Sequence, residues 1–86
     1  MIFFIPTIDS LISEKLRYMY VYKDTDEYYN NSLIRSLIPL IDCIRMDVPR
    51  IMKTIHVAVY SLDLNTDEDD VIATNYIISR LNNLFS

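Results

Sequence analysis

The run Asp63-x-Asn65-x-Asp67-x-Asp69 sets oxygen-bearing side chains two residues apart, as the opening of an EF-hand calcium loop does. The rest of that loop is missing. Its sixth position must turn sharply and is normally Gly, but here it is Glu68. Its twelfth should supply a bidentate Glu and is Thr74. The reading that fits all of these residues is a helix start. Asp67, Glu68, Asp69 and Asp70 would occupy a first turn, where each carboxylate contributes about 0.3–1 kcal/mol against the positive dipole end.

Cys43 and His56 are the only residues of their kinds. A Cys–His pair can serve as nucleophile and base, but nothing in the spacing brings these two together. Cys43 flanks an apolar stripe and reads as a small buried hydrophobe. His56 reads as a partly exposed boundary residue. One Cys and one His cannot fill a structural zinc site within a single chain. No catalytic residue, metal ligand or cofactor is therefore expected, and no small-molecule ligand is inferred.

Two kinds of binding residue stand out. Tyr18, Tyr20, Tyr22, Tyr28 and Tyr29 fall within twelve positions. Three of them are spaced by two, so one helical stripe cannot hide them all. Exposed aromatic rings are enriched in interface cores. Arg45, Arg50 and Lys53 bracket the Pro49 turn and are a secondary candidate for an acidic partner segment. Lys15, Arg17 and Lys23 cluster as well, but the bland reading of all these cations is solvated pairing with Asp42, Asp47 and the acidic run.

The elements that must carry these residues read as helices. Ile8, Leu11, Ile12, Leu16, Met19 and Tyr22 recur at three- and four-residue steps over 8–22, with Thr7 or Asp9 as cap. Residues 23–31 are polar and aromatic and read as a loop that enters the next helix early. Over 32–46, Leu33, Ile34, Leu37, Ile38, Ile41 and Ile44 point inward. Pro39 stands mid-helix, where a proline costs about 3 kcal/mol, so a kink or a split is expected.

Asp47-Val48-Pro49 reads as the start of a third helix running to about Ser61, with Ile51, Met52, Ile55, Val59 and Leu62 on one face. Leu64-Asn65 should close the segment, Asn replacing Gly. Thr66 should cap a fourth helix with Asp69 three residues on. Its inner stripe would be Val71, Thr74, Ile78, Leu81 and Phe85, flanked by Ile77 and Leu84. The expected fold is all-α, one compact domain of about four helices over 1–86. The alternative is an α+β fold with a small hairpin, because segments 16–22 and 55–60 also suit strands.

Composition limits the function classes. The chain has 86 residues, 51% hydrophobic, with a net charge of -4. Domains this short bury only about 60–65% of the surface their unfolded chain exposes, so such an apolar chain either packs economically or covers the excess with a partner. Glycine is absent, which excludes the phosphate-cradling loops that need it. The sequence pI near 4.6 argues against nucleic acid, whose phosphates require positive faces. No apolar run approaches the roughly 18 residues that span a bilayer, and Met1–Ile5 before Pro6 lacks the features of a signal peptide. An intracellular setting, cytoplasmic or nuclear, is expected.

The expectation that follows is a non-enzymatic protein–protein interaction module, a small helical subunit or adaptor that binds another protein or itself, an obligate dimer being the simplest form. A virus-encoded adaptor that engages a host protein is the alternative, suggested by the abundance of residues with AT-rich codons. A small enzyme or metal-dependent protein is the rival of a different class.

Overall fold

The computed structural model describes residues 7–25 and 27–85, the side chains of 27–30 excepted. It is all-α: α1 spans Ile8–Val21, α2 Glu27–Ile44, α3 Val48–Tyr60 and α4 Asp67–Phe85. No strand occurs among the described residues.

The starts of α1, α3 and α4 each have a side chain to close them. The Thr7 hydroxyl accepts from the Ser10 amide at 3.2 Å, and the Asp47 carboxylate accepts from the Arg50 amide at 3.2 Å. Thr66 accepts from the Asp69 amide at 3.1 Å. These caps satisfy amides that a first turn leaves without carbonyl partners. Pro49 lies in the first turn of α3, where its missing N–H costs nothing. The four carboxylates Asp67, Glu68, Asp69 and Asp70 occupy the first turn of α4.

Helix ends are closed without glycine. Thr25 donates its hydroxyl to the Tyr22 carbonyl at 3.2 Å, and Ser61 donates to the Ala58 carbonyl at 2.7 Å. The left-handed residue between α3 and α4 is Asp63, at φ 53°, and not Asn65. Aspartate tolerates that region because its short polar side chain bonds locally. Reading Asn as the glycine substitute misplaced the reversal by two residues.

The core joins Ile12, Leu16 and Met19 of α1 with Leu33, Leu37, Ile41 and Ile44 of α2. Ile55, Ala58 and Val59 come from α3, and Ala73, Ile77 and Leu81 from α4. Across the α1–α3 contact the buried Ser13 hydroxyl donates to the Thr54 carbonyl at 3.0 Å. α1 and α3 form the central pair, and α2 and α4 flank it with little direct contact between them.

Two expectations are corrected in detail. Of the two alternatives at Pro39, a kink or a split, the split does not occur, because α2 runs through the proline as one helix. The inner face of α4 turns on Ala73 and leaves Val71 57% exposed. A stripe chosen for large side chains overlooked the alanine that lets helices approach closely. Ile8, Tyr22 and Ile38 also lie on exposed ground. Segments 16–22 and 55–60 are helical up to Val21 and Tyr60. In α3, Thr54, Ile55, Ala58 and Val59 are buried together, a helical period that overrides β-branched propensity.

Truncating a core side chain should be costly. Ile77→Ala is expected to lose about 2–5 kcal/mol and Thr66→Ala about 0.5–2 kcal/mol, read from urea melts. A loss below that of the cap variant for Ile77→Ala would contradict this core.

Candidate functional site: an apolar groove between α2 and α4

Because α2 and α4 do not close on each other, a groove of about 280 Å³ opens between them, with α3 as its base. Its walls are the last turns of α2, the first two turns of α3 and the last two turns of α4. Val48, Ile51, Met52, Ile78 and Phe85 are among its apolar lining residues. Arg45 crosses the mouth. Its guanidinium lies 5.9 Å from the Phe85 ring centroid and 3.6 Å from the Asp42 carboxylate. The first contact is cation–π in character, and the second is an ion pair between two largely exposed side chains, a weak one for that reason. Beside Arg45, in the turn from α2 to α3, Met46 is 90% exposed, and Val48 is 62% exposed.

The sequence-derived basic set divides between two surfaces. Arg45 belongs to the groove. Arg50 and Lys53 line a polar cleft on the other flank of α3, with Thr7, Asp9 and Ser10 from the start of α1. Arg50 Nε donates to Asp9 Oδ1 at 2.8 Å, and that hydrogen bond raises the guanidinium pKa above its ordinary value. Arg50 is thus already engaged in fixing α1 on α3.

The tyrosines are partly spent inside the molecule. Tyr18 donates its hydroxyl to Glu14 Oε1 at 3.0 Å, its ring lies 6.2 Å from that of Tyr22, and Arg17 stands over it at 4.8 Å. Tyr20 is half-buried, edge-on to Tyr76 of α4 with centroids 5.7 Å apart. Lys23 covers its other side at 4.5 Å. Tyr22 is 39% exposed. The side chains of Tyr28 and Tyr29 lie outside the described residues.

Sequence reasoning missed Tyr60, 88% exposed at the end of α3, and Met46. The sequence reading had carried the second helix through to residue 46, whereas α2 ends at Ile44 and leaves Met46 in the turn. Cys43 is exposed, against the expectation of burial. Its thiol donates to the Pro39 carbonyl at 3.3 Å, on the side of α2 away from the Leu37–Ile41–Ile44 stripe. Among the described residues no hydrogen bond joins Cys43 to His56, and no group of three His, Cys, Asp or Glu side chains is placed to hold a metal ion. Among the described residues no helix is long and apolar enough to cross a membrane.

Two measurements check this description. Cys43 should react fully with an aromatic disulfide reagent in native buffer, at a rate close to that in denaturant. Protection of the thiol would contradict its placement. Calcium at millimolar concentration should leave the melting temperature unchanged, and an affinity near 10⁻⁶ M, about that of sensor loops, would overturn the helix-start reading of Asp67–Asp70.

The chain matches no protein-family model, no curated protein and no solved structure.

Proposed function

We propose that this chain is a non-enzymatic interaction module whose working surface is the α2–α4 groove and its lip. The observation that carries the reading is the pairing of an open apolar groove with exposed Met46 and Val48 at its edge. Apolar area taken from water contributes about 25 cal/mol per Å². Contiguous exposed apolar patches rimmed by polar groups mark binding surfaces far more often than scattered single residues do. The groove volume lies just below the roughly 300–1,000 Å³ of small-molecule sites, and its lining lacks the convergent polar groups that orient such ligands. It suits a few side chains of another protein. Tyr18 and Tyr22, with Arg17, form a second aromatic surface at the far end of α1 that such a protein could also touch.

The test is affinity capture from the source cell with the wild type and with Val48→Glu. Val48 is exposed, so its folding cost should stay within about 0.5 kcal/mol, while captured protein should be lost. The reading fails if the wild type neither captures a protein nor self-associates.

A further inference from the structure

We propose that the groove is occupied from within, by residues 1–6 of this chain, and that a foreign protein enters it by displacing them. The inference rests on the interaction reading above in taking the groove as the working surface, and it adds how access to that surface is controlled.

The direction of the helices brings the segment to the groove. Asp9 of α1 meets Arg50 of α3, and Ser13 of α1 meets Thr54 of α3. Both pairs are 41 residues apart, so α1 and α3 run parallel and in register. The same offset sets Thr7 level with Val48, the first groove residue of α3. Thr7 shares a cleft with Arg50 and Lys53 on the other flank of that helix. The chain therefore enters α1 at the end of the molecule where the groove lies. Thr7 is extended, at φ -75° and ψ 163°, so the helix is not continued backwards past it. Six extended residues span up to about 20 Å, whereas packed helix axes lie about 8–10 Å apart. The groove is within that reach.

The chemistry of the segment matches the lining. Residues 1–6 read Met-Ile-Phe-Phe-Ile-Pro, with no charged side chain. They bring no unpaired charge to apolar walls whose one cation, Arg45, already meets Asp42 at 3.6 Å. Alternate side chains of an extended segment face the same way, so Ile2 enters with Phe4, or Phe3 with Ile5. An apolar cavity of about 150 Å³ takes one benzene ring, and the groove of about 280 Å³ has room for one such pair. A tethered segment also meets the groove at an effective concentration of about millimolar, which a free protein in dilute solution does not reach.

The test is disulfide trapping in the full chain at micromolar concentration, with Cys43→Ser throughout and a melt of every variant. Phe3→Cys and Phe4→Cys are each paired with Val48→Cys in the groove, or with Lys53→Cys in the cleft that Thr7 itself lines. A segment lying outside the groove meets Lys53 at least as readily as Val48. In a glutathione redox buffer, at least one Val48 pair should close within a single chain about tenfold or more faster than its Lys53 counterpart, as effective concentration dictates. A second measurement needs no added cysteine. Phe3→Ser with Phe4→Ser should shift the methyl resonances of Ile51, Met52 and Ile78, which line the groove, and leave those of Val71 in place. The same double variant should capture more foreign protein than the wild type. Closure no faster at Val48 than at Lys53 overturns the proposal, as do groove methyls that stay in place and crosslinks that form only between chains. Capture unchanged in the double variant overturns the control of access. A groove without the segment, in a chain that captures protein and loses it on Val48→Glu, strikes this proposal alone and leaves the interaction reading standing. A closed Val48 pair in a chain that captures nothing, with or without Phe3 and Phe4, supports the occupancy and strikes the interaction reading.

Discussion

The approach of α1 to α3 depends on small side chains at their contact. The Ser13 hydroxyl, buried, donates to the Thr54 carbonyl, and one turn further along α3 Ala58 is fully buried. A larger residue at any of these positions would force the axes apart. With no glycine in the chain, alanine and serine are the smallest residues available. The only two alanines, Ala58 and Ala73, are both completely buried. A hydrogen bond made in a buried place is costly to leave unmade on one side, so Ser13 fixes the rotation of α1 as well as its distance. The remaining geometry follows from that pairing. α1 and α3 together separate α2 from α4, and the groove is the gap that the separation leaves.

Much of this was legible in the sequence where a local rule and the tertiary packing ask for the same residue. Thr7, Asp47 and Thr66 cap because their side chains reach an amide three residues on, whatever the rest of the molecule does. The α2 stripe of Leu33, Leu37, Ile41 and Ile44 was legible from its three- and four-residue steps, although the same pattern also drew in Ile38, which lies exposed. Legibility ended where size and position trade off. On α4 the apolar residues form two overlapping stripes, and the choice between them lies with Ala73, whose value is its smallness. Cys43 was misplaced for a related reason. A thiol is apolar enough for a core, and only the rotation of α2 decides which side it takes.

The groove could not be read from the sequence at all. It is made by the absence of a contact between two elements distant in the chain, and no periodicity records that. Its lining residues, such as Ile51 and Met52, look like ordinary core residues in a helical pattern. The basic residues Arg45, Arg50 and Lys53 look like one cluster in sequence. They part because α3 turns Arg50 and Lys53 to one flank while Arg45, in the turn just after α2, lies on the other.

That Asp63, at φ 53°, is the one left-handed residue among those described bears on the unfolded side of the folding equilibrium. An average chain of this length would contain about six glycines, and each one exchanged for a residue with a side chain, where the native backbone allows it, narrows the unfolded ensemble by about 0.4–1 kcal/mol. Apart from Asp63, the described backbone stays where residues with side chains are unstrained, so this fold draws that benefit without matching strain. The sum is a few kcal/mol, comparable with a good part of the roughly 5–15 kcal/mol by which domains are stable. A molecule with a core this small and a groove open to water thus gains part of its stability from conformations its unfolded chain cannot visit.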